Sequence, residues 1–126
     1  MFHRVFINDN NMQTEPKFVV FLSQLLLLFN VCPSCNNPDP LVEVTRIGTM
    51  AKVVTICTNQ SCNKKQHTWN SQLDMPGTKI PAGNFLLSFA ILIAGGSASK
   101  VFRIFKHMGL SCIPLATFFH HQRVGQ

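Results

Sequence analysis

Cys32-Pro33-Ser34-Cys35, followed further along by Cys57-Thr58-Asn59-Gln60-Ser61-Cys62, decides the fold of this chain. The first pair is a C-x-x-C and the second is wider, with four residues between its cysteines. Two β-rich runs, 41–47 and 51–56, lie between the pairs and hinge at Gly48. Val42, Val44, Val53, Val54 and Ile56 are strand formers because β-branched side chains pack well on a pleated surface. A third run, 65–69, follows the second pair and carries Trp69, expected to cap the small core. Loop, hairpin, loop and strand make a three-stranded ribbon over 32–72. Its four thiolates, Cys32, Cys35, Cys57 and Cys62, are the donor set of one structural Zn²⁺. Such a site is closed: no position remains for water or substrate, so the metal holds a fold and does no chemistry. The competing reading is two disulfides. Against it stand an odd count of five cysteines, with Cys112 left over, and a C-x-x-C too tight for a disulfide outside redox folds. His67 is an alternative ligand, but four cysteines already complete the set.

A ribbon of this size buries too little apolar surface to fold alone, and metal binding supplies what the core lacks. The rest of the 126 residues must build a second small core. The formal charge of +6 is unevenly spread. Up to Asn63, Arg4, Lys17, Arg46 and Lys52 balance Asp9, Glu15, Asp39 and Glu43. Beyond it, Lys64, Lys65, Lys79, Lys100, Arg103, Lys106 and Arg123 face Asp74 alone. A basic half beside a zinc module points to a polyanion, most simply DNA. A solvated basic face is the plainer alternative.

Outward from the ribbon, residues 1–16 lack an apolar period and are expected to be disordered. Residues 17–31 read as an apolar helix, with Pro16 at its start and Phe18, Phe21, Leu22, Leu25, Leu26 and Phe29 at helical spacing. Its other face is apolar too, so the helix is either buried or docked on a protein partner or a second copy. The run falls short of the ~20 apolar residues of a membrane span. No membrane role is expected, although a signal or anchor in a secreted or membrane-associated protein is the alternative. Residues 73–83, with Pro76, Gly77, Pro81 and Gly83, read as a linker.

Residues 84–126 read as three helices, 84–94, 97–108 and 111–123, broken at Gly95-Gly96 and at Gly109. Ser111 is expected to cap the third, with Pro114 in its first turn. The last two helices have helix-turn-helix spacing, with Ile104, Met108, Leu110, Leu115 and Phe118 packing across the turn. Lys100, Arg103, Lys106 and Arg123 would then contact phosphates, and Thr117, His120 and Gln122 bases or backbone. A simple three-helix bundle would use the same apolar positions as core. The paired His120-His121 reads as a surface feature. The fold class is therefore α+β: one helix, a three-stranded ribbon and a helical segment.

The two cysteine pairs, Trp69-x-Ser71-Gln72, Pro81-Ala82-Gly83-Asn84, Leu87-Ser88, Lys100 and Thr117-Phe118-Phe119 with Gln122 resemble one family. It is the N-terminal zinc-ribbon and helix-turn-helix head of Kolobok-like eukaryotic cut-and-paste DNA transposases, and the likeness covers residues 17–123. The resemblance implies a nuclear DNA-binding protein. In that family a following catalytic domain cuts DNA with acidic residues that hold divalent metals. Here Asp9, Glu15, Asp39, Glu43 and Asp74 are the only acids, so the expectation is a non-enzymatic fragment that stops before that domain and takes no small-molecule substrate. Leu73 departs from the proline expected after Ser71-Gln72.

Overall fold

The β-rich runs pair as the sequence predicts. In the computed structural model, which describes residues 11–124, β1 (Leu41–Ile47), β2 (Met50–Ile56) and β3 (Gln66–Asn70) form one antiparallel sheet in that order. The register runs from Leu41 opposite Ile56 to Ile47 opposite Met50, around a two-residue turn of Gly48 and Thr49. Gly48 has a φ of +61°, as the first central position of a tight hairpin turn requires. Alternation places Val53, Thr55 and Trp69 on one face of the sheet. Val53 and Thr55 there are buried, and Trp69 tilts against Phe29 with ring centroids 5.5 Å apart.

The apolar segment departs from expectation. Helix is confined to α1 (Leu22–Leu25) and a following 3-10 turn, Leu26–Phe29, where a helix over 17–31 was expected. Residues 18–21 form neither helix nor strand. Tandem β-branched Val19 and Val20 between Phe18 and Phe21 favour the extended chain, and no side chain caps α1. Leu25 is buried, but Phe18 is 89 % exposed, Phe21 76 % and Leu28 72 %. Most of the disorder expected over 1–16 falls outside the described residues. Residues 12–15 form a turn closed by the Thr14 and Glu15 amides on the Asn11 carbonyl.

Three longer helices follow: α2 (Ala82–Ala94), α3 (Ala98–Met108) and α4 (Leu115–Val124). Gly95 and Gly109, both left-handed, end the first two. Ser97 caps α3 by accepting from the Lys100 amide. Ile91, Ile113 and Phe118 form the helical core, with Leu87, Val101 and Phe102 against them. Of the side chains expected to pack between the last two helices, Phe118 is buried and Leu110 half-buried. Ile104, Met108 and Leu115 are instead exposed. The cause lies in the connection: α4 starts at Leu115, so residues 109–114 form the turn. Pro114 disfavours helical backbone at Ile113 and blocks an earlier start. The turn is six residues long, beyond the three or four of a helix-turn-helix unit.

Ribbon and helices meet at the hairpin turn. Asn84 Oδ1 accepts from Thr49 N at 2.7 Å and from Thr49 Oγ1 at 2.6 Å, while Asn84 Nδ2 donates to the Ile47 carbonyl at 2.9 Å. Gln72 Nε2 donates to Thr49 Oγ1, and Gln72 Oε1 accepts from the Gly83 amide. Ser111, expected to cap α4, donates instead to the Gly48 carbonyl. A Cβ on Gly48 would lie 2.5 Å from both Asn84 Oδ1 and Ile113 Cγ2, so the seam closes only over glycine. Residues 73–83 fold back on themselves: the Met75 amide bonds to the Ile80 carbonyl, and the Ala82 amide to that of Leu73.

Candidate metal centre

The open end of the sheet gathers the cysteines. Cys32 and Cys35 lie in the loop before β1, Cys57 directly follows β2, and Cys62 lies in the loop leading to β3. The Cys57 amide bonds to the Lys65 carbonyl at 2.7 Å and pins the second loop to the strand end. In the first loop, the Cys32 carbonyl accepts from the Asn36 amide and the Cys32 amide donates to the Asn37 carbonyl. Asn36 turns the chain there with φ +62°, a left-handed conformation that asparagine tolerates.

The four Sγ atoms lie within 4.8 Å of one another and can hold a metal ion. Cys32 Sγ is 3.7 Å from Cys62 Sγ, and Cys35 Sγ is 3.5 Å from Cys57 Sγ. A tetrahedron with metal–sulfur bonds of about 2.3 Å has sulfur–sulfur edges of about 3.8 Å, so the donor set fits a four-coordinate ion. Cys32, Cys57 and Cys62 are buried together, and Cys35 reaches the surface. All five cysteines are free thiols, Cys112 far along the chain among the helices.

Backbone amides and burial pull the four thiols in opposite directions. The Cys35 amide on Cys32 Sγ holds that thiol below its ordinary value, against burial. The Asn37 amide does the same for Cys35, drawing it to about 7. Asn59 adds its side-chain amide on Cys35 Sγ at 3.7 Å and its backbone amide on Cys57 Sγ at 3.4 Å. Burial dominates at Cys57, which is raised, and at Cys62, which is pushed up to about 12. Thiolates this close repel unless a cation sits among them, so metal binding and loss of protons are one event.

Around the sulfurs, His67 Nε2 lies 3.0 Å from Ser34 Oγ and 3.1 Å from the Lys64 carbonyl. This histidine therefore bonds to both cysteine loops and is not one of the clustered metal-ligating groups. Thr55, cross-strand from His67, is buried and its Oγ1 has no hydrogen-bond partner.

The candidate DNA-contacting residues divide. Lys100, Arg103 and Lys106 are exposed along one side of α3, and His120 and Arg123 are exposed on α4. Thr117 and Gln122 are half-buried, Gln122 beside Phe85, Ser88 and His121 at a cavity of about 10 Å³. His121 corrects the surface reading of the histidine pair: it is buried, with Nδ1 3.2 Å from Ser88 Oγ. Ser88 is 1 % exposed, its Oγ also bonds to the Asn84 carbonyl, and the adjoining cavity is at the limit for a single water. Sequence reasoning gave no role to Asn84, Ser111 or His121 beyond motif or cap.

Among the described residues, no helix is long and apolar enough to cross a membrane. Comparison with protein-family models, curated proteins and solved structures found no match to this chain.

Proposed function

We propose that this chain is a non-catalytic DNA-binding protein whose ribbon is folded around one structural Zn²⁺. The observation that carries this reading is the all-sulfur, four-donor cluster with near-tetrahedral spacing. Four thiolates select zinc over harder cations, and a filled tetrahedron leaves no open position. Zinc would serve there as a cross-link between loops that share few other contacts.

The DNA part of the reading rests on charge. Lys100, Arg103 and Lys106 on α3 and Arg123 on α4 are exposed, and no acidic side chain occurs after Asp74. Such cations contact phosphates and displace condensed counterions. The start of α4 offers Leu115 and Ala116, which cannot read base edges by hydrogen bonds. Binding is therefore led by the backbone and weakly dependent on sequence. The resemblance to transposase heads implies the same partner.

Affinity of the zinc-loaded chain for duplex DNA, measured against salt, tests this. Contacts from these four cations give a log–log slope of about −3.6. Arg103→Ala with Lys106→Ala should flatten it by about 1.8. An unchanged slope in the double variant would remove α3 from the interface. A second reading has one specific observation in its favour, the exposed apolar run from Phe18 to Leu28. It predicts a protein-interaction module whose size in solution rises with concentration and ignores DNA.

A further inference from the structure

We infer that His67 is a positioning residue of the metal centre: one N–H, on Nε2, clasps the two cysteine loops to each other. The inference rests on the zinc reading above and adds a residue that is not a ligand. Nε2 reaches Ser34 Oγ, within the first cysteine pair, and the Lys64 carbonyl, just past the second. One further side-chain bond outside the cysteines joins the two loops, from Asn37 Nδ2 to Thr58 Oγ1 at 3.1 Å, and it reaches neither Ser34 nor Lys64.

The chemistry of the partners fixes the tautomer. A carbonyl only accepts, so the 3.1 Å contact to Lys64 requires a hydrogen on Nε2. That hydrogen is shared with Ser34 Oγ, which accepts it and keeps its own hydrogen for solvent. Nδ1 then carries the lone pair. Position follows from the sheet: His67 lies in β3, opposite Thr55 and two residues along β2 from Cys57, so its ring falls beside the gap between the loops.

Cys62 Sγ also lies against the Lys64 carbonyl, at 3.2 Å, so the carbonyl that His67 holds sits beside a sulfur of the centre. Holding the Lys64 carbonyl restrains the chain two residues past Cys62 and so the loop that carries that sulfur. Groups that orient ligands in this way typically govern metal affinity by 10–100-fold.

The test uses the full chain as wild type, His67→Ala, His67→Gln and Ser34→Ala. Zinc affinity is read by competition with a chelator. His67→Ala should bind about 10–100-fold more weakly. His67→Gln, whose side-chain amide can donate to the Lys64 carbonyl, should recover most of the loss. Ser34→Ala should lose less than His67→Ala, because the Lys64 bond survives. Nitrogen-15 spectra of the wild-type imidazole provide a readout that needs no variant to fold, and the zinc-loaded chain should show the Nε2–H tautomer. An Nδ1–H tautomer, or His67→Ala affinity within twofold of wild type, overturns the clasp and leaves the zinc site standing. A wild type that binds no zinc overturns both.

Discussion

The two ends of one hairpin are held by opposite means. At the open end, beyond Leu41 and Ile56, four thiols converge and a few exposed side-chain bonds join the loops around them. At the closed end, Gly48 and Thr49 sit in a cage of amides and hydroxyls from Asn84, Gln72 and Ser111. On the zinc reading the first end takes an ion from solution, because its sulfurs repel when ionised and bond weakly when protonated. The second is complete within the chain: both polar atoms of the Asn84 side chain are hydrogen-bonded. A chelator can therefore open one end while the other keeps its partners.

Cys57→Ser gives the largest break in this contrast. It removes one of four donors and the sulfur that joins strand β2 to the centre. Zinc should fall from one per chain to none in native mass spectrometry, with most of the ~10–16 kcal/mol of apparent metal stabilisation lost. The ribbon amides should collapse toward random-coil shifts. The helical core of Ile91, Ile113 and Phe118 is a separate cluster, so much of the helical circular dichroism should remain. A variant that keeps its zinc and its sheet would falsify the four-cysteine centre.

Asn84→Ala attacks the other end. It leaves the Thr49 amide and the Ile47 carbonyl, both part-buried, without their side-chain partner, and each such loss costs about 1–3 kcal/mol. The expected loss is about 3 kcal/mol in denaturant melts, with zinc still at one per chain. If Asn84→Ala releases zinc, the two ends are coupled through the hairpin and the contrast fails.

The ends also differ in how far the sequence shows them. Cysteine spacing marks the four-sulfur cluster directly, because four donors of one type in two close pairs point to one site. The strands were legible as well: β-branched runs on both sides of Gly48 predict the hairpin to within a residue of its ends. The seam was not. Gln72, Gly83 and Asn84 stood out mainly through a motif resembling transposase heads. Their work is to join ribbon and helices, and that depends on a contact between residues 47–49 and 84 that no local pattern encodes. The start of α4 was misplaced because Ser111 reads as a cap, while the hairpin turn claims its hydroxyl. The apolar period over 18–29 suggested a long helix, but periodicity alone cannot supply a surface to bury it.

The smallest effect expected lies beyond the seam, where His121 joins α4 to Ser88 of α2. Burial holds its imidazole below the ordinary histidine value; the Asn84 carbonyl raises it in part, and the neighbouring His120 lowers it. The folded chain then binds this proton less readily than the unfolded one. Stability from His121 is complete above the ordinary histidine pKa of about 6.5 and is lost as pH falls below it toward the folded value. Acid also protonates the thiolates and weakens metal binding, so the stability of wild type alone cannot isolate the histidine. His121→Asn keeps a short amide able to reach Ser88 and removes the titration, while both proteins share the same cysteines. The stability gap between them should be widest near pH 7.5 and should narrow steadily toward pH 5.5. A gap that stays constant across that range would mean that the buried imidazole does not change its charge on unfolding, and that acid acts on this molecule through its sulfur end alone.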